Sequence, residues 1–232
     1  MTSITLDLNG ALKGYFKDKD WPFKIMMGGL VNSAAFLLLK VNPTFIPLSF
    51  AMLGLSYGYI LRVLRQSIKG ELEILPDWTD AVELLVSGLS WLSICMGFGF
   101  FVLSLLAISL LFAGQTSLLT MTNPSFLFWA ESTFLIIYGL VTFFKFFLAI
   151  LMANFAEEER MLAGFAWRKV VRRIMKKPAV MLVAWLAGLT ITAAAVVLPI
   201  LTMIGAVLVP FLSFLAEVIA ARMIGQAWRE AQ

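Results

Sequence analysis

Sixteen of the 18 lysines and arginines stand in four clusters, and the chain between clusters is apolar for long enough to cross a bilayer and return. The clusters are Lys13, Lys17, Lys19 and Lys24; Arg62, Arg65 and Lys69; Arg160, Arg168, Lys169, Arg172, Arg173, Lys176 and Lys177; and Arg222 with Arg229. Only Lys40 and Lys145 fall outside them. Basic residues are retained on the cytoplasmic side of membranes, so this spacing folds the chain into three in-out-in hairpins with both termini cytoplasmic. Hydrophobic residues make up 61% of the sequence, above the roughly half of a soluble domain. The expected fold is an all-α, polytopic integral membrane helix bundle of about six transmembrane helices, with a cytoplasmic amphipathic surface helix. The net charge of +4 follows the membrane spans, so it points to orientation and anionic lipid and away from nucleic acid.

A single membrane domain is expected over 1–232. It divides into a cytoplasmic interfacial segment (1–24), a first hairpin (25–61), a cytoplasmic segment (62–83), a second hairpin (84–153), a basic amphipathic helix (154–178), a third hairpin (179–224) and a tail (225–232). Trp21 and Pro22 mark the first helix start. The run 25–39 reaches only about 22 Å as a helix, short of the roughly 30 Å hydrocarbon core. Lys40, Asn42, Pro43 and Pro47 form its outer turn. Asp80 and Glu83 have capping-box spacing, so a helix is expected to start there. Residues 84–113 and 126–153 are the next two spans, joined by an uncharged loop over 114–125. Residues 160–177 read as one amphipathic helix, with Ala163, Ala166, Trp167, Val170, Val171 and Ile174 on one face. Glu157, Glu158 and Glu159 are expected at its N-terminus, favouring the helix dipole. Pro178 breaks it, Pro199 and Gly205 divide the final apolar run, and Pro210 is expected to kink the last helix. The first and last hairpins resemble each other, through duplication or through selection for topology alone.

The chemistry available is narrow. The chain has no histidine and one cysteine, which excludes an internal disulfide, Cys/His zinc sites, His-ligated haem, and Ser-His-Asp or Cys-His nucleophiles. The Asn-x-Ser/Thr triplets at Asn42 and Asn123 carry Pro in the middle and are not glycosylation acceptors. No cleavable signal peptide is expected at the N-terminus.

An ordered set of motifs runs through residues 11–89. It comprises Ala11-Leu-Lys-Gly-Tyr-Phe-Lys-Asp-Lys-Asp-Trp21, Gly28-Gly-Leu, Gly58-Tyr-Ile-Leu-Arg62-Val-Leu-Arg65, Gly70-Glu71, Leu75-Pro-Asp-Trp78-Thr-Asp80 and Gly88. This set resembles the bacterial and archaeal membrane family known as domain of unknown function 4013. Beyond residue 89 the likeness is one of hydropathy. The resemblance implies the topology and a prokaryotic cytoplasmic or internal membrane, and it brings no activity and no cofactor.

Three groups of residues are candidates for function. Lys145 and Glu217 lie inside apolar runs, where charges pair or line a cavity. A Lys145–Glu217 pair serves either a proton or substrate path or plain helix packing. Asp77, Asp80 and Glu83 form an acidic motif at the inner surface, set against helix capping as its simpler role. Arg168, Lys169, Arg172, Arg173 and Lys176 are candidate contacts for anionic lipid, set against simple positive-inside anchoring. The leading expectation is a non-enzymatic scaffold or accessory subunit of a larger membrane complex, touching membrane lipids and another membrane protein or itself. A transporter or channel for a small molecule, ion or lipid is the alternative, and a lipid-modifying enzyme is third. With Cys95→Ser as background, a cysteine placed at Gln115 is expected to react with an impermeant thiol reagent only from the outer side. Labelling only from the cytoplasmic side contradicts the topology.

Overall fold

The computed structural model describes residues 17–117 and 125–232. Among them the chain forms seven α-helices and three short 3-10 turns, with no strand. The interfacial segment expected over 1–24 lies outside the described residues up to residue 16.

Helix α1 is Trp21–Val41, with Pro22 in its first turn, where a missing N–H costs nothing. Its 21 residues reach about 31 Å, so the short apolar run is the middle of a helix long enough to span. The Asn42 side chain accepts the Thr44 N–H at 2.9 Å and starts the 3-10 turn Pro43–Phe45. Helix α2, Ile46–Lys69, returns, and the Ser49 hydroxyl donates to the Ala35 carbonyl at 2.8 Å across the hairpin. Gly70 closes α2 in the left-handed region, at φ 88°. Helix α3 is Ala81–Ser117 and α4 is Ser125–Glu158.

Helix α3 starts at the expected residue, but without the expected capping box. Asp80 sits at φ 55°, outside the extended region an N-cap residue uses. The Glu83 carboxylate is taken by Arg62 and Arg65.

The expected surface helix is corrected more substantially. Helix α4 continues through Glu158, so Glu157 and Glu158 end one helix and do not begin the next. Glu159 turns the chain at φ 56°, Met161–Phe165 forms a 3-10 turn, and only Trp167–Lys176 is α-helical, as α5. The Asn154 amide donates to the Ala163 carbonyl at 2.8 Å and holds that turn against α4. Of the face expected to be apolar on α5, Val170 is buried, while Trp167 and Val171 are exposed.

Pro178 opens α6, Pro178–Leu201. Pro199 and the 3-10 turn Met203–Leu208, which contains Gly205, break the apolar run where expected. Helix α7 is Val209–Glu230, and Pro210 lies in its first turn, so it starts the helix and does not kink it.

Five helical segments among the described residues are long and apolar enough to cross a membrane: Trp21–Val41, Pro43–Lys69, Ala81–Leu105, Pro178–Leu201 and Val209–Glu230. The sixth expected run, 126–153, is helical throughout, within α4. Several apolar helices of this length make the chain a multi-pass membrane protein.

Contacts divide the chain into two compact units, Met1–Leu92 with Ala149–Gln232, and Ser93–Leu148. In the first, α7 packs on α1, α2 and α6, and its buried face includes Phe214, Val218, Arg222 and Trp228. Small residues bring backbones together there, as they do where helices associate in lipid. A Cβ on Gly58 would strike the Leu84 carbonyl, and one on Gly88 would strike that of Gly54, so α2 and the start of α3 touch through bare backbone. In the second unit, Phe101 meets Phe144 edge-on at 6.3 Å and Phe143 stacks on Phe147 at 6.5 Å.

Gly58→Ala is expected to destabilise the protein by about 2 kcal/mol or more, because a backbone carbonyl cannot move aside as a side chain does. Gly97→Ala, where among the described residues nothing lies within 4 Å of the added carbon, is expected to be neutral. Thermal unfolding of both variants in detergent checks this, and equal losses would contradict the close crossing.

Candidate functional site

The first unit carries three ion-paired nodes. The first centres on Lys24, only 6% exposed in the first turn of α1. Its ammonium donates to Asp18 Oδ2 at 2.9 Å and the Leu75 carbonyl at 2.8 Å, and Asp77 Oδ1 lies 2.8 Å away. These three acceptors match its three protons. Asp18 also accepts the backbone N–H groups of Leu75 (3.1 Å) and Asp20 (3.0 Å). Burial raises the Asp18 pKa, but the hydrogen bonds from Lys24, Asp20 and Leu75 outweigh it and hold the carboxyl below its ordinary value. The 71–80 connection is thereby pinned to α1. Trp78 donates its indole N–H to the Lys24 carbonyl at 2.9 Å and stacks on Tyr59 at 4.3 Å. Tyr59 donates to the Pro76 carbonyl at 3.0 Å, and Phe214 packs against both rings.

Arg62 and Arg65, one turn apart on α2, form the second node. Arg62 donates to the carbonyls of Asp77 (3.0 Å) and Thr79 (2.9 Å) and to Glu83 (3.0 Å). Arg65 reaches Glu83 and Glu159, each at 3.3 Å.

The third node is Glu157. Arg173 grips it with two nitrogens at 2.9 and 3.0 Å, the fork geometry that makes arginine–carboxylate pairs strong. Lys169 (3.4 Å), the Trp228 indole N–H (3.2 Å) and the Gln232 amide (3.0 Å) complete the set. The Arg173 guanidinium also lies over the Trp228 ring, 4.2 Å from its centre. Burial raises the Glu157 pKa, but Arg173, Trp228 and Lys169 reverse this and leave it below its ordinary value. Lys169 also pairs with Glu158.

The predicted residues are therefore sorted by the structure. Asp77 and Glu83 are engaged with Lys24, Arg62 and Arg65, while Asp80 is exposed at the turn into α3. Of the five basic residues assigned to lipid, Lys169 and Arg173 turn inward to Glu157, and Lys176 donates to the Gln232 carbonyl oxygen at 2.8 Å. Arg168 and Arg172 face outward, with Arg168 5.4 Å from the Trp167 ring centre. Lys145 is exposed and belongs to the second unit; Glu217 is half-buried on α7 of the first. Lys24, Asp18 and Glu157 were absent from the sequence-predicted site. Lys24 counted there only as part of a basic cluster, and its place at the head of an apolar run was the available signal.

Comparison with known proteins then gives the class. The model of the family described as "Protein of unknown function (DUF4013)" matches residues 44–209, well over half of the chain. The protein belongs to that family. The match reaches far beyond residue 89, where the motifs end and the sequence showed only a likeness of hydropathy. No curated protein and no solved structure matches.

Both lowered carboxyl values imply stability lost in acid. A folded-state pKa below the unfolded one stabilises above the unfolded value and loses that stabilisation as pH falls through the folded one. Glu157→Gln is thus expected to be less stable than wild type by about 2 kcal/mol at neutral pH. The gap should narrow as pH falls below 4.5, the ordinary value of the carboxyl. Thermal melts across that range check it, and a gap independent of pH would contradict the node.

Proposed function

We propose that the protein is a non-enzymatic membrane scaffold or accessory subunit that rests its α5 surface on anionic lipid at the cytoplasmic face. The observation that carries this reading is the division of α5. One side is bolted to the bundle by Lys169 and Arg173 through Glu157. The other presents Arg168 and Arg172 with the exposed Trp167 and Met175 (73% exposed), next to Leu162 (82%) and Phe165 of the preceding 3-10 turn. An apolar tip flanked by guanidiniums suits the boundary between headgroups and acyl chains. Arg168, Arg172 and Trp167 also border an open hollow of about 450 Å3 with room for a headgroup. A rigid mounting fits a scaffold, because a surface held in place loses little freedom on binding.

The inner acidic motif supports the same view. Two of its carboxylates hold helices together through Lys24, Arg62 and Arg65, which is a structural duty. The partner expected for such a scaffold is another membrane protein or a second copy.

Native mass spectrometry of gently solubilised protein tests the proposal. Wild type is expected to retain anionic lipid and to travel with a partner. Arg168→Gln with Arg172→Gln is expected to cut anionic lipid retention about thirtyfold, about 1 kcal/mol being lost for each of the two arginines near the surface. Unchanged retention, or a lone protein that drives solute flux in proteoliposomes, would overturn it.

A further inference from the structure

A second polar cavity, of about 560 Å3, opens where α2, α4 and α7 end, bordered by Arg65, Lys69, Glu157, Glu159, Arg229 and Gln232. Its volume is in the range of small-ligand sites, roughly 300–1,000 Å3. The charges around it are unequally engaged. Both oxygens of Glu157 are taken by Arg173, Trp228 and Gln232, and Glu159 pairs with Arg65. Lys69 and Arg229 differ: among the described residues, neither has a carboxylate within ion-pair distance.

Both cations line this cavity, and Arg229 is seated against the α2 cap that follows Lys69. Gly70 ends α2 at φ 88°, its N–H bonded to the Ser67 carbonyl at 3.1 Å, and the Glu71 N–H bonds the Gln66 carbonyl at 2.9 Å. A Cβ on Gly70 would collide with the Arg229 guanidinium, which therefore lies directly on the α2 cap, one residue from Lys69. Carbonyls at a helix end favour nearby cations, but those of Gln66 and Ser67 already take the capping N–H groups. A planar guanidinium fork next to a mobile ammonium matches a tetrahedral oxyanion. The carboxylates of Glu157 and Glu159, which line the same cavity, repel additional negative charge, so a singly charged group fits better than a polyphosphate.

We infer that the Lys69–Arg229 cavity binds a singly charged phosphate group, the chemistry shared by a phospholipid headgroup and free dihydrogen phosphate. The site is distinct from the α5 surface and does not depend on it.

Protection of Lys69 from an amine-acylating reagent tests this on the full chain, delipidated in a sugar-based detergent. Peptide mass spectrometry reads the acylation rate, with exposed Lys40 as the internal reference. The probes are dihexanoylphosphatidylglycerol, inorganic phosphate at mildly acidic pH, and dihexanoylglycerol as a phosphate-free control. At least one phosphate probe is expected to slow acylation of Lys69 about tenfold, as one charge-assisted contact would, and to leave Lys40 unaffected. Protection by the lipid alone identifies a headgroup, and protection by inorganic phosphate identifies a soluble source. Arg229→Gln is expected to abolish the protection, Arg229→Lys to retain part of it, and Arg168→Gln to leave it intact. No protection of wild type by either phosphate probe would overturn the inference, as would equal protection by the phosphate-free control or full protection in Arg229→Gln. The wild-type measurement decides the matter even where a variant fails to fold.

Discussion

Burying an ammonium is costly unless each proton finds an acceptor, and Lys24 meets that condition with Asp18, Asp77 and the Leu75 carbonyl. Much of the first unit follows from this. The acceptors come from before α1 and from the connection between α2 and α3, so the charge draws the connection onto the head of α1. That placement sets Trp78 on Tyr59, and Phe214 of α7 against both. It also brings the carbonyls of Asp77 and Thr79 to Arg62, and Arg62 shares Glu83 with Arg65. One buried cation thus couples α1, α2, α3 and α7 through groups that would otherwise face solvent.

The same logic repeats at Glu157, with the sign reversed. A carboxylate at the end of α4 gathers two cations from α5, an indole from α7 and the Gln232 amide. In a membrane protein the apolar surfaces of helices gain little by leaving lipid, so polar contacts of this kind and close backbone packing carry much of the specificity. The division is visible in the first unit. Gly58 and Gly88 allow bare-backbone contact within the apolar part, and ion pairs fasten the helix ends. A consequence is that basic residues with the same apparent role in the sequence have different fates: Arg173 is a bolt, while Arg168 beside it in the cluster is outward-facing.

Helix positions were legible where a residue type restricts the backbone. Pro22 and Pro178 mark helix starts as expected, whereas Pro47, expected in the outer turn, stands in the first turn of α2. Pro210 was misjudged because a proline that starts a helix and one that kinks it look alike when the preceding turn has no polar residues. The bounds of α5 were not legible for a different reason. Glu157 and Glu158 suit the start of a basic helix by charge, yet their partners Lys169 and Arg173 bind them from across a turn, which allows α4 to extend to Glu158. The site was least legible. Lys24 and Asp18 are six residues apart, but Asp77 and Leu75 join them from more than fifty residues away, and no periodicity reports such a meeting. The acidic motif was visible as a motif, whereas its engagement by arginines depended on the α2–α3 crossing.

The coupling between Lys24 and Asp18 tests the account most directly. Stability in detergent is measured for wild type, Lys24→Met, Asp18→Asn and the double variant. The account predicts that each single change destabilises the protein and that the double change costs less than their sum by about 1–3 kcal/mol, since the second change removes a charge already left without its partner. Strictly additive losses, or single variants as stable as wild type, would contradict it.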